Sequence, residues 1–311
     1  MTLARPQRGV ALITALLIVA LLGTLAAGLT WDNGLDVRRT MTMLYHDEGA
    51  QAAYGAESWV LSLLRDDLAD TETDHLGEFW AQQLPVLPIE SDTIQGALFG
   101  ELTDLQGRFN INNLVDGNGE INEGAVEQFQ RLLAVLELDT RIAGIAADWL
   151  DTNQDTNFPD GAEDPIYTGR VPPYRTPNRP ISTIHELAAI EGMDKAAFDI
   201  LAPHIAALPG GTDINVNTAT DAVLLSLDEA MTPTQVATLM EDRAEQGFAD
   251  VETTFGTIVS ADVLDDIGET SNYFQLRVVV QIATVRITFF SIMERTSGGD
   301  VVPIMRSFGT L

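Results

Sequence analysis

Six carboxylates, Asp148, Asp151, Asp155, Asp160, Glu163 and Asp164, fall between Arg141 and Arg170 with no lysine or arginine among them. Like charges at that density need either full solvation or a bound cation. The chain has no cysteine, and none of its histidines falls in this stretch, so the donors are hard oxygens, which select Ca²⁺ over transition metals. Asp151-Thr-Asn153-Gln-Asp155 matches the opening of a calcium loop, but Thr156 stands at its sixth position and Ala162 at its twelfth, where an EF-hand has glycine and glutamate. The stretch is therefore no EF-hand. Two readings stand: an ordered Ca²⁺ with Asp151, Asn153, Asp155, Asp160, Glu163 and Asp164 as its ligands, and a solvated acidic loop. Val115-Asp116-Gly-Asn118-Gly-Glu120-Ile121 shares the look of a calcium loop but lacks the acidic partners, and reads as a glycine turn.

Enzyme signals are weak beside this. His46, His75, His185 and His204 lie in different segments, and His185-Glu186 continues as Leu-Ala-Ala rather than into the second histidine of a zinc protease. The chain carries no phosphate loop, dinucleotide fingerprint or Gly-x-Ser-x-Gly turn, and the expectation is a protein that is not an enzyme. A formal charge of −29 on 311 residues repels nucleic-acid phosphates.

These residues need elements to hold them. Gly9 to Trp31 is uncharged and apolar, long enough at ~1.5 Å per residue to span the ~30 Å hydrocarbon layer. Arg5 and Arg8 before it and Asp32 after it put the N-terminus on the cytoplasmic side. A cleaved signal peptide, with Thr24, Ala26, Ala27 and Gly28 near the cut, fits the same hydropathy. The segment that follows favours a retained anchor. Ala53, Ala56, Val60, Leu63, Leu64 and Leu68 recur at helical spacing while Glu57, Ser58, Arg65 and Asp66 take other faces, predicting one helix over 10–69, about 90 Å long, with Asn33-Gly34 as its point of fraying or bending.

Short strands are expected over 94–112, helical runs from 113 to 270 (126–138, 140–150, 183–192, 195–207, 218–226 and 232–246), and period-two strands over 272–308. In the last block Phe274, Leu276, Val278, Val280 and Ile282 share a face, and Ser297-Gly-Gly-Asp300 marks a turn.

Arg8-Gly9-Val10-Ala11-Leu12-Ile13, a basic residue and glycine directly before the apolar run, resembles a type IV pilin-like subunit. The resemblance implies that a prepilin peptidase cuts after Gly9 and methylates Val10. It also implies a glutamate at the fifth mature position, where this chain has Thr14. A subunit without that carboxylate cannot neutralise the terminal ammonium of one above it in lipid, which suits a filament tip. Further along, Asp104-Leu-Gln-Gly107-Arg108-Phe109-Asn110-Ile-Asn112-Asn113-Leu114, Asp148-Trp149-Leu-Asp151, Gly161-Ala162-Glu163-Asp164-Pro-Ile-Tyr167, Asn178-Arg179-Pro180 leading to Glu186-Leu187, and Ile214-Asn215-Val-Asn217-Thr218-Ala219 resemble the minor pseudopilin K family of the type II secretion system. That resemblance implies an α+β fold: a pilin-like long N-terminal helix packed on an antiparallel sheet, with a large inserted all-helical domain of SAM-like or helix-hairpin-helix-like type. It divides the chain into a leader (1–9), a transmembrane helix (10–31), pilin-like helix and first strands (32–112), an inserted helical domain (113–270) and closing strands (271–311). It implies single-pass insertion in inner-membrane lipid with the bulk in the periplasm, assembly with minor pseudopilins I and J and the major pseudopilin, a role in starting or capping the filament, and calcium in the acidic loop.

The rival class is a membrane-anchored DNA-uptake protein, because 213–243 resembles the opening of a periplasmic helix-hairpin-helix domain. Such a domain grips phosphate through amides in a glycine-rich hairpin. Here that hairpin reads Leu227-Asp228-Glu229-Ala230-Met231, acidic and without glycine, so no nucleic-acid partner is expected.

Overall fold

A computed structural model describes residues 8–71, 73–90, 95–157, 159–296 and 298–310. Helix α1, Arg8–Asp70, is 63 residues long, about 95 Å at 1.5 Å per residue. It runs without interruption through Asn33-Gly34, where the sequence suggests a break. One internal glycine costs only about 1 kcal/mol relative to alanine, little against a helix of this length. From Val10 to Leu29 its large apolar side chains all point outward, whereas Ala53, Val60 and Leu64 are fully buried.

They are buried against a five-stranded antiparallel sheet of order β1-β2-β7-β8-β9, made of β1 Leu87–Glu90, β2 Gln95–Asp104, β7 Tyr273–Ile282, β8 Val285–Arg295 and β9 Val301–Phe308. The predicted face of β7 is the buried one: Phe274, Leu276, Val278, Val280 and Ile282 pack with Trp80 and Phe289 under α1. Of the expected closing turn, Ser297 lies outside the described residues, while Gly299 at φ 82° and the Thr296 N–H bond to Asp300 O, 2.8 Å, reverse the chain into β9.

Because β2 and β7 pair from Gly96–Ile282 to Asp104–Phe274, everything between them leaves and returns at one end of the sheet. That excursion carries its own core, with Phe109, Phe129, Leu133, Trp149, Tyr167 and Phe255 among its largest buried side chains. Two short parallel pairs brace it: β3 Phe109–Asn110 with β4 Ile205–Ala206, and β5 Ile214–Asn215 with β6 Ile267–Gly268. Its helices are α2 Glu123–Val135, α3 Ile142–Leu150, α4 Asp164–Tyr167, α5 Lys195–Leu201, α6 Asp221–Ser226, α7 Pro233–Gln246, α8 Val251–Phe255 and α9 Ala261–Leu264. A smaller cluster, Leu105, Ala206, Leu208 and Ile292, joins block to sheet. The α+β architecture with a helical insertion is the one expected.

Two helical expectations fail locally. Residues 183–192 form a 3-10 turn, Ile184–Ala189, because the core-facing Leu187 and Ile190 lie three apart, matching three residues per turn. The run 195–207 stops as α-helix at Leu201, since Pro203 has no N–H to bond back four residues; the chain makes a 3-10 turn, Ala202–His204, and Ile205–Ala206 then becomes β4.

Glu57 is a third departure. Its spacing puts it off the apolar stripe, yet it is 2% exposed beneath the sheet. Arg306 of β9 donates to it from Nε (3.0 Å) and Nη2 (2.7 Å), and the Ser291 hydroxyl of β8 donates as well. A carboxylate one turn beyond Ala53 is tolerable in this interface because two strands bring it donors. Replacing the half-exposed partner, Arg306→Met, should therefore cost on the order of 1.5–3 kcal/mol, the range for hydrogen bonds to charged groups, read as a lower urea midpoint of the full chain in detergent. An unchanged midpoint would mean that apolar packing alone seats α1.

Candidate functional site

The buried helix α3 delivers the acidic loop. Asp148 and Asp151 sit one turn apart at its C-terminal end, both fully buried, and Glu163 on the return strand of the loop is 1% exposed. Gly161 is required here, since a Cβ would fall 2.1 Å from Asp148 Oδ2. Asp148 accepts from the Asn157 N–H at 3.1 Å, Asp151 Oδ2 from Asn153 Nδ2 at 2.6 Å, and Glu163 Oε2 from Thr176 Oγ1 at 3.0 Å. Asp151 Oδ1 and Glu163 Oε1 are buried and have no partner among the described residues. Burial, reinforced by Asp148 and Glu163, pushes the Asp151 carboxyl up to about 7; burial also raises Asp148 and Glu163.

The remaining expected ligands are placed differently. Asp164 heads α4 and is held by the Thr176 N–H at 3.2 Å and by Arg175 at 3.4 Å. Asn153 is exposed and its Oδ1 accepts from the Asp155 N–H at 2.6 Å; Asp155 is exposed and Asp160 half-buried. Phe158 lies outside the described residues. The fold thus gathers Asp148, Asp151 and Glu163 inside and leaves Asp155 and Asp160 at the rim. Asp148 was not among the expected ligands, although its three-residue spacing from Asp151 on one helix face could have signalled it. Two orphaned carboxylate oxygens in a loop of hard donors fit a Ca²⁺ ion. The Asp116 turn does not: its Oδ1 is spent on the N–H groups of Asn118 (2.8 Å) and Glu120 (2.9 Å).

A second polar cluster occupies the seam between sheet and helical block. Asp104, at the end of β2, accepts from Gln106 N at 2.8 Å, Ser271 Oγ at 2.7 Å and the Thr218 hydroxyl. Burial pushes its carboxyl up to about 6 against those bonds. Asn215 Nδ2 donates to Ser271 Oγ (2.7 Å) and Asp74 O (3.0 Å), and Arg295 at the end of β8 donates to Asp74 (2.8 Å) and Asp67 (3.1 Å). Nearby asparagines stitch the block in the same manner. Asn112 bridges Ile181 and Leu208, Asn110 bridges Leu208 and Pro209, and Asn217 pairs with both backbone groups of Phe248.

Residues 107–210 and 214–271 match two family models, both described as type II secretion system (T2SS), protein K. Type II secretion system protein K of Pseudomonas aeruginosa is 33% identical over 321 residues, covering 98% of this chain and 94% of the relative. The chain belongs to the type II secretion system protein K family. The protein K of Pectobacterium carotovorum is 34% identical over 266 residues, 79% of this chain and 78% of the relative. Among solved structures, the GspK-GspI-GspJ complex from the enterotoxigenic Escherichia coli type 2 secretion system contains a chain that superposes with a TM-score of 0.77 at 25% identity, covering 88% of this chain and 100% of that one. As a protein K, the chain is a minor pseudopilin of type II secretion.

Within this protein K the DNA-binding alternative finds no support. Arg243, the cation of the helix-hairpin-helix-like segment, is buried and donates to Val216 O and Ala219 O, both at 2.6 Å, so it faces the core rather than a phosphate. The Ala230 N–H in the hairpin is taken by Asp228 at 2.9 Å. At the other end of the chain α1 is the helix long and apolar enough to cross a membrane, with Val10 exposed in its first turns. Thr14 donates to Ala11 O at 3.0 Å and so turns its hydroxyl back onto its own helix.

The raised carboxyls of the loop set an unusual pH dependence. A folded pKa above the unfolded value means that stability is greatest below the unfolded pKa and is lost as pH rises through the folded one, for Asp151 between about 4 and 7. Metal-free full chain in detergent should melt at lower temperature at pH 8 than at pH 5.5. Calcium needs the ionised form, so its stabilising effect should grow over the same interval, reaching about 2.7 kcal/mol at a hundredfold excess over Kd. Asp151→Asn with Glu163→Gln should flatten both responses; a full calcium shift in that double variant would place the ion elsewhere.

Proposed function

We propose that this protein K is the tip subunit of the type II secretion pseudopilus, anchored in the inner membrane by α1 with its bulk in the periplasm, and that it starts or caps the filament. The observation that carries the reading is where the insertion leaves the sheet. Residues 105–272 depart from the end at which α1 terminates near Asp67 and Asp74, opposite the apolar first half of the helix. A block placed there occupies the position a further subunit would take above. The missing carboxylate at Thr14 agrees, because a subunit above would find no partner for its terminal ammonium in lipid.

The exposed apolar length of α1 is the surface for helix-to-helix assembly with minor pseudopilins I and J, a reading supported by the resemblance to a GspK chain solved with GspI and GspJ. Prepilin peptidase matures the chain between Gly9 and Val10. The protein acts by assembly and not as an enzyme. Calcium belongs to the acidic loop, where Asp151 and Glu163 offer free buried oxygens, Asp148 lies beside them, and Asn153, Asp155, Asp160 and Asp164 line the way out. A bound ion would supply the positive charge that lets these carboxylates stay ionised.

Intact-mass analysis of membrane-extracted protein tests maturation and anchoring together. The expected species begins at methylated Val10, retains the whole apolar helix and co-purifies with pseudopilins I and J. A mature start near Ala27 or Gly28 would make the chain an ordinary secreted protein and overturn the tip assignment.

A further inference from the structure

Away from the acidic loop, Asp67 at the end of α1 and Asp74 and Glu78 in the connection to the sheet bring three carboxylate oxygens within 4.8 Å of one another, a convergence not matched by other acidic groups among the described residues. Calcium binds oxygens at about 2.3–2.6 Å, so two ligands of one ion can be no more than about 5 Å apart. All three oxygens can therefore touch a single ion. Arg295 supplies one positive charge, through Nη1 to Asp74 and Nη2 to Asp67, leaving two negative charges uncompensated in a buried site.

Two further atoms show that this pairing is incomplete. Glu78 is 8% exposed, and while its Oε2 accepts from Trp80 Nε1 (2.6 Å) and the His75 N–H (3.1 Å), its Oε1 has no partner among the described residues. Arg295 is 4% exposed and its Nε finds no acceptor among the described residues, so its guanidinium bonds Asp74 and Asp67 and not Glu78. His75 does not close the gap. Its Nδ1 accepts from the Gly77 N–H at 3.1 Å, which leaves the proton on Nε2, and Nε2 stands 4.0 Å from Glu78 Oε1, beyond hydrogen-bond reach.

We propose that Asp67, Asp74 and Glu78 form a divalent-cation site, taking Ca²⁺ beside Arg295, that fastens the end of α1 to the seam. Hard carboxylate donors without thiolate or a free imidazole nitrogen select calcium over transition metals. The ion would bind Asp74, which also accepts from the Ser271 N–H at 2.7 Å, and so would tie α1 to the start of β7 as well as to β8.

Terbium, a calcium mimic whose emission is excited through a nearby tryptophan, is the probe, because Trp80 is bonded directly to Glu78. In full chain in detergent carrying Asp151→Asn and Glu163→Gln, which disables the acidic loop, Tb³⁺ emission excited at the tryptophan band should persist and be competed away by Ca²⁺. Adding Glu78→Gln, which keeps an acceptor for Trp80, should weaken Tb³⁺ affinity about tenfold or more. Trp80→Phe should abolish the emission while Ca²⁺ still raises the melting temperature. Should Glu78→Gln lose its far-ultraviolet dichroism, Asp67→Asn at the helix end replaces it with the same loss expected. Absence of Ca²⁺-competed emission in the loop variant, or emission indifferent to both substitutions, would mean that Arg295 and bound protons satisfy the cluster, and would overturn the site.

Discussion

Charge buried where α1, the sheet and the helical block meet is the constraint on which this structure depends. Asp67, Asp74, Glu78 and Asp104 come from three separate segments, and Arg295 is the guanidinium set among them. Breaking a buried pair by removing one partner costs about 3–5 kcal/mol, so none of these segments can drift without stranding a charge. Ser271, Asn215 and Thr218 complete the connection with neutral donors. The insertion is thereby fixed to the sheet at the two strand ends from which it departs, with Leu105, Ala206, Leu208 and Ile292 as its apolar counterpart.

Seen from this seam, the acidic composition has a structural order. With 17 basic residues against 46 acidic ones, cations are scarce, and several arginines are committed to the interior. Arg306 holds Glu57 under the sheet, Arg295 holds Asp67 and Asp74, Arg243 donates to backbone carbonyls in the turn before α6, and Arg131 donates to those at the end of α6. In the acidic loop Arg175 reaches only Asp164 at the rim; among the described residues the inner carboxyls of Asp151 and Glu163 receive no arginine, and they rise instead. Where side-chain cations run out, protons or metal ions are the remaining source of positive charge.

Much of this was legible from the residues. Period-two apolar spacing identified β7 and its buried face, helical spacing identified α1 and the stripe Ala53, Val60 and Leu64, and the run of unpaired carboxylates pointed to the loop after α3. The asparagines of 110–113 and 215–217, which carried the family resemblance, prove to be cross-links between distant backbone segments rather than ligands. The misses share a cause. Glu57 reads as a surface residue because its donors, Ser291 and Arg306, are more than 230 positions away. Asp74 and Asp104 belong to a network assembled by strand pairing, and no local period announces that. The same non-locality hides which of the loop acids turn inward, since burial of Asp148 and Asp151 is decided by the packing of all of α3.

Through this seam, helix, sheet and inserted block form one cooperative unit. Native-state hydrogen exchange of the full chain in detergent, followed by mass spectrometry at rising urea, tests it directly. Amides of β7 around Leu276–Val280 and of α2 around Phe129–Leu133 should open with the same free energy and the same urea dependence, and Asp104→Ala should separate them. Independent opening of α2 at lower urea in the unaltered chain would contradict the account, and would mean that the helical block is a separately folding appendage.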